Sequence, residues 1–398
     1  GSGNYNQLGL GEGVGSHIPV IVPGFQNVKD IAAGNTFSLI LLENGEVYGF
    51  GRNLSGVLGQ EEEINYPSVK VQGLPKIKSI SAGYTHALFL SESGEVYALG
   101  SNSHGQLGLG EAQLGAKLTA PVKIPGLSQV KEVHASRFFS LIILENGDVY
   151  AFGDNDYGQL GLGDNEDRPA PEKISGIPII KTASTTHRHV LLLSESGDVY
   201  AFGDTAALGL GLIAQQLSPA IIPGLPKIKG IATGWSHSLV VSESGEVYGF
   251  GMNSSGQLGM GDVLGETKLR SAPEKIPFLS NVEAVAAAVN KSFAIVKNVP
   301  KVLYTSHEPG SAGTDTETIA IEFDRFLVGD FGKIILRKYS DDTIVPTTLV
   351  GLGGYGVEIH PAEELELNTK YYLEIPPDTL FDRDDSSSAY PGTQSKDD

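Results

Sequence analysis

Short apolar runs alternate with polar, glycine-marked turns along most of this chain, and the alternation recurs. The runs Leu-Ile-Leu-Leu (39–42), Leu-Phe-Leu (88–90), Leu-Ile-Ile-Leu (141–144), Leu-Leu-Leu (191–193) and Leu-Val-Val (239–241) are each followed by Glu-Asn-Gly or a Ser-Glu-Ser-Gly turn, then by Glu/Asp-Val-Tyr-x-Phe/Leu-Gly. A continuous apolar run of this length predicts a strand buried on both faces. The glycine turn predicts a tight hairpin, and the Val-Tyr segment predicts its returning strand. Small residues precede each first strand, as at 30–34, 79–83 and 230–234. An extended Pro-rich piece closes each unit. The repeated tyrosines are Tyr48, Tyr97, Tyr150, Tyr200 and Tyr248, with spacings of 49, 53, 50 and 48 residues. Four short strands repeated every ~50 residues predict an all-β propeller.

A sixth unit begins at Asn281 and stops before its Gly-Glu-Val-Tyr segment, whereas the chain opens on Asn-Gln-Leu-Gly, inside a repeat. Residues 17–24, His-Ile-Pro-Val-Ile-Val-Pro-Gly, match the closing strand of a unit. The expectation is a six-unit β-propeller closed by its N- and C-terminal segments. Residues 302–304 or a second chain are the candidates for the one strand that neither end supplies.

The stretch 234–262 carries Gly-x-x-His-Ser-Leu, Gly-x-Val-Tyr-x-Phe-Gly and Asn-x-x-Gly-Gln-Leu-Gly together. In these residues the chain resembles the regulator of chromosome condensation repeat family over roughly residues 1–297. The resemblance implies a propeller. It departs from the family pattern in two places: Tyr stands where Trp is usual before the final Gly pair, and the copy at Asp204 lacks the Asn and Gly of its loop.

After Asn298 the pattern changes to period-2 strands set between Gly, Asp and Pro turns. Residues 317–324, 365–376 and 380–392 resemble the bacterial Ig-like domains of S-layer and other surface proteins. The expected organisation is a propeller at 1–298 and an Ig-like β-sandwich with an acidic tail at 299–398. The 398 residues carry a net charge of −19. Residues 301–398 hold 19 acidic and 8 basic residues, so more than half of the excess lies in this second part. That balance argues against nucleic acid as a partner. The chain contains no cysteine, which excludes disulfides and thiol chemistry. No apolar stretch is long enough for a membrane-spanning helix. Any targeting segment is expected to be removed or to lie upstream.

Candidate chemistry is sparse. His86, His189 and His237 share one repeat position with Phe37, Phe139 and Lys291, which marks the position as framework rather than as a ligand or catalyst. The Gly-rich strings lack the Lys-Ser/Thr of a phosphate loop. No Ser-His-Asp spacing appears. The carboxylates recur at turn positions. No cofactor is expected; calcium is the one ion that the acidic loops 163–169 and 381–388 offer to hold through oxygen atoms. The chain is therefore read as a non-enzyme.

Variation between copies is more informative. Two positions just before the His/Phe site hold Asn35-Thr36, Tyr84-Thr85, Arg137-Phe138, His187-Arg188, Trp235-Ser236 and Val289-Asn290. Propeller symmetry places them in one ring on one face. Asn35, Tyr84, Arg137, Phe138, His187, Arg188, Trp235 and Asn290 are the candidate partner-binding residues, because Tyr, Trp and Arg anchor interfaces. The channel-plug reading of Tyr84 and Trp235 stands beside this one.

The family resemblance implies three uses: nucleotide exchange on a small GTPase with histone contact, inhibition of a β-lactamase by a secreted propeller, or a surface module. Acidic charge and the Ig-like partner weigh against the first. The reading is a non-catalytic secreted or cell-surface protein whose face binds a protein or a surface glycan, with the Ig-like domain as spacer. The alternatives are a self-assembling filament, sheath or S-layer subunit, and an inhibitor of an extracellular enzyme. The expected location is extracellular or at the cell surface.

Overall fold

Each of the first five repeats is a four-stranded antiparallel sheet in the computed structural model. The description covers residues 3–296 apart from 205–206, 212–214, 262–268, 278 and 280. Beyond 296 it covers the strands and residues 334, 346 and 362. Two compact units divide the chain, Gly1–Ile295 and Val296–Asp398.

In the first sheet, β1 (Val28–Ala33), β2 (Phe37–Leu42), β3 (Val47–Arg52) and β4 (Asn65–Lys70) lie in sequence order. Four more sheets follow, with the same order. Their second strands are His86–Ser91, Phe139–Leu144, His189–Ser194 and His237–Ser242. The apolar runs of the sequence are these second strands, and they are buried nearly throughout. The reason is position, because each is central in its sheet and each sheet is covered by its neighbours. Leu39 and Leu41 of the first sheet pack on Ile77, Ile80 and Phe89 of the second. Leu88 and Leu90 pack on Ile142 and Phe152 of the third. The pattern continues to Leu239 and Val241, which meet Val282 and Val285 of the sixth unit. Each fully buried Leu, Ile or Phe is worth about 1.5–3 kcal/mol.

Between sheets, the Asn-x-x-Gly loop is held by its own asparagine. Asn53, Asn102, Asn155 and Asn253 are buried, and each Oδ1 accepts the backbone N–H five residues on, at 2.7–2.9 Å. That loop reaches over the next sheet. The N-terminal copy does the same, since Ser38 on β2 donates to the Gln7 carbonyl at 2.9 Å.

The sixth unit consists of Val282–Ala288 paired with Lys291–Val296. The closing strand expected at residues 17–24 is a correction: these residues are irregular and join no ladder. In every complete sheet the fourth strand pairs only with the third. With no Gly-Glu-Val-Tyr segment in the sixth unit, residues 17–24 have no ladder to join. Residues 302–304 do not replace it, because Val302–Thr305 pairs with Ile319–Phe323. Ile31 on β1 is 72% exposed, and Phe293 and Ile295 of the sixth unit are exposed too.

In the second unit the described elements are all strands. One sheet orders Val302–Thr305, Ile319–Phe323, Gly356–Pro361 and Thr347–Gly351. A three-stranded sheet centres on Ile335–Lys338, and Leu327–Gly329 pairs with Leu380–Asp382. Residues 383–388 of the acidic stretch considered for calcium lie outside the described residues. No helix among the described residues is long and apolar enough to cross a membrane.

Candidate protein-binding face

The loops between first and second strands carry the variable pairs, and β-sheet geometry fixes where they sit. In each sheet the glycine ending the third-strand motif leaves room for the loop carbonyl to approach. The next residue then donates to that carbonyl: Arg52 to Thr36, Ser101 to Thr85, Asp154 to Phe138, Asp204 to Arg188 and Met252 to Ser236, at 2.7–3.0 Å. Adjacent loops are also tied to one another. The Tyr84 N–H donates to the Ser136 carbonyl at 3.2 Å, the Ser136 hydroxyl donates to the Thr186 carbonyl, and the Trp235 N–H donates to the Val289 carbonyl at 3.0 Å. The variable side chains therefore stand in one row.

Most of them touch. Tyr84 meets Phe138 edge-on at 5.7 Å between ring centroids. The Arg137 guanidinium lies 5.3 Å from the Tyr84 centroid and 5.0 Å from that of Phe138. It also donates to His187, with Nη1 2.5 Å from Nε2. Burial, then the charges of Arg137 and Arg188, lower the His187 pKa to about 4, so the imidazole is a neutral acceptor at pH 7. Arg188 reaches Asp204 at 3.4 Å and caps the Tyr157 ring at 4.3 Å. Trp235 is 58% exposed, and with Arg137, His187, Arg188 and Asp204 it lines a cleft of about 290 Å³. Rigid aromatic area beside paired guanidinium groups suits a protein loop carrying a carboxylate or a carbonyl. Asn35 and Asn290 are exposed, and no hydrogen bond or ring contact joins them to this network.

Two members were missed by the sequence reading. His104 stacks on Phe138 at 5.1 Å, and Tyr157 meets His187 edge-on at 5.8 Å. Both occupy the third position of the Asn-x-x-Gly loop, where other copies hold Ser55 and Ser255. That variation was visible in the sequence. What it could not show is that this loop lies over the next sheet. A larger hollow, about 410 Å³, is walled by residues between Leu8 and Val22 and offers His17 as its one ionisable group.

The framework reading of the histidines holds in atomic detail. His86 Nε2 is 2.9 Å from Ser140 Oγ, which donates onward to the Gln106 carbonyl, so the nitrogen carries the proton. His189 repeats this with Ser238 and the Ala207 carbonyl, and His237 with Ser292 and the Gln257 carbonyl.

Comparison with known proteins gives a consistent picture. A family model for the RCC1-like domain matches residues 1–296. The regulator of chromosome condensation of Mus musculus is 28% identical over 165 residues, which are 40% of this chain and 39% of that protein. The Drosophila melanogaster protein of the same name is 39% identical over 62 residues, 15% of this chain and 11% of that one. The chain thus spans about two-fifths of the mouse relative at most. Among solved structures, human WBSCR16 superposes with a TM-score of 0.60 at 25% identity, covering 68% of this chain and 72% of its own. Prp20p of Saccharomyces cerevisiae gives 0.58 at 25% identity over 67% of each chain, and is described by its binding to Gsp1p and histones. These relatives correct the location expected from sequence. Regulators of chromosome condensation, one of them histone-binding, point away from an extracellular or cell-surface protein.

Proposed function

Because this chain belongs to the RCC1-like domain family, we propose that it is a non-catalytic protein-binding propeller whose working face is the row from Tyr84 to Trp235. The contact network Tyr84–Phe138–Arg137–His187–Tyr157–Arg188 beside the exposed Trp235 is the observation that carries this reading. The name and title of the relatives, regulators and binders of other proteins, agree with it. Residues 299–398 act as an Ig-like spacer. The test is binding of purified histones and of Gsp1p, the two partners of the yeast relative, to the intact chain and to Tyr84→Ala/Trp235→Ala. Trp235 is 58% and Tyr84 38% exposed, and neither belongs to the core between sheets, so the melting temperature should stay within about 2 °C while affinity drops at least about 100-fold, as expected for two interface anchors. Undiminished binding by the double variant would show that another face is used.

The ring is proposed to close between the first and sixth units. By repeat, Phe293 and Ile295 correspond to Leu39 and Leu41, and Ile31 to Ile80, residues that pack on each other at the junction of the first two sheets. Phe293→Asp should then lower the melting temperature by about 5 °C or more, because a buried unpaired carboxylate costs several kcal/mol. An unchanged melting temperature would mean that this face stays in water.

A further inference from the structure

Beside the binding face, three potential ligands converge from two sheets. His104 stands in the loop between the third and fourth strands of the second sheet. Asp154 follows the third strand of the third sheet, and Asp167 precedes its fourth. One ligand atom from each lies within 4.8 Å of the others. His104 Nδ1 is 3.4 Å from Asp167 Oδ2. Asp167 Oδ1 accepts the Asn155 N–H at 2.8 Å, which fixes that carboxylate.

Asp154 is the unusual member. It is 4% exposed. Its Oδ1 accepts the Asp156 N–H at 3.1 Å. The one arginine nearby in sequence, Arg168, is engaged by Asp164 and Glu172 instead. A buried carboxylate facing a second carboxylate, with an imidazole opposite, is an arrangement that a bound cation would stabilise.

We infer that His104, Asp154 and Asp167 form a binding site for a single divalent transition-metal ion of the Zn²⁺ type. The nitrogen ligand decides the class: imidazole suits Zn²⁺ and its neighbours, whereas Ca²⁺ takes six to eight oxygen atoms. Three protein ligands leave room for water at a tetrahedral ion. The repeats explain why one junction alone has the set. At the position of Asp154 the other sheets hold Arg52, Ser101, Asp204 and Met252, and at that of His104 three of them hold Ser55, Tyr157 and Ser255, while the loop after Asp204 is two residues shorter. Asp204, whose junction carries Tyr157 in place of His104, is paired with Arg188. The bound ion would lock the His104 ring beneath Phe138 and so stiffen one end of the binding row.

The experiment is calorimetric titration of the chelator-treated full chain with Zn²⁺, and separately with Ca²⁺. One Zn²⁺ per chain, bound at least about tenfold more tightly than Ca²⁺, with a raised melting temperature, is the expected result. His104→Gln and Asp154→Asn should each weaken Zn²⁺ binding about tenfold or more, since ligand loss should cost at least what loss of an outer-shell partner does. Without metal both variants should melt at or above the temperature of the parent. Asp154→Asn removes the buried charge, and His104→Gln keeps a polar side chain at a half-buried loop position, so either variant serves if the other folds poorly. Zn²⁺ binding that is the same in the parent and in both variants overturns the site. Preference for Ca²⁺ overturns the nitrogen ligand.

Discussion

Acidification from pH 7 to pH 4.5 is expected to strip several kcal/mol from the propeller, before its lysine-paired turn carboxylates protonate. His86, His189 and His237 are buried, and burial is the leading cause that lowers their pKa values, to about 3, about 4 and about 4. In the unfolded chain they titrate near 6.5. The folded state therefore holds them neutral while the unfolded state gains protons. Their contribution is complete above pH 6.5 and is lost as pH falls towards 4. Each histidine is worth on the order of 3 kcal/mol at the lower end of that window. The structural reason is plain at His86 and His237, where Nδ1 is buried without a partner, so an added proton there would have no acceptor.

The lysine-paired turn carboxylates, Glu46, Glu95, Asp148, Asp198 and Glu246, have lowered pKa values led by their hydrogen bonds to lysine. They titrate below their ordinary range, so their loss falls at lower pH, and exposure makes it small. Urea unfolding at pH 7, 5.5 and 4.5 measures the slope. His86→Phe with Ser140→Ala should remove about a third of it and leave stability at pH 7 within about 1 kcal/mol, because the Phe37–Ala87 junction already has that form. An identical slope in that variant would refute the histidine origin.

Gly203→Ala should destabilise the propeller by about 4 kcal/mol, seen as a fall of roughly 10 °C in melting temperature. Gly203 has φ +107°, and a Cβ there would sit 2.2 Å from the Arg188 carbonyl oxygen. That oxygen is fixed by the Asp204 N–H at 2.8 Å, so it cannot give way cheaply. Gly176 is the control. Its φ is +76° with nothing within 4 Å of a Cβ, so Gly176→Ala pays backbone strain alone, about 1 kcal/mol. Equal losses from the two substitutions would mean that crowding at the loop carbonyl is unimportant.

Much of this was legible in the chain, for definite reasons. A repeat announces its own period, and the buried second strands have an apolar pattern that few other environments produce. The loop pairs before the His/Phe site could be placed because symmetry maps each copy onto one face. Tyr84, Arg137, Phe138, His187 and Arg188 do meet there, with Trp235 beside them. What stayed hidden were contacts offset by one repeat. Nothing local in the sequence says that His104 covers Phe138, or that His86 donates to Ser140. Residues 17–24 failed for a related reason. Their pattern is that of a strand, but a strand is made by its partner, and that partner is missing from the sixth unit.

The junctions also differ in kind. His86 faces Ser140, His189 faces Ser238 and His237 faces Ser292, whereas Phe37 shares its core with Ala87, and Phe139 with Val190. Neighbouring modules are thus keyed to each other by a polar or a greasy lock. Shuffling, deleting or duplicating a module would set imidazole against alanine or phenylalanine against serine, so the order of the copies is itself encoded, one lock at a time.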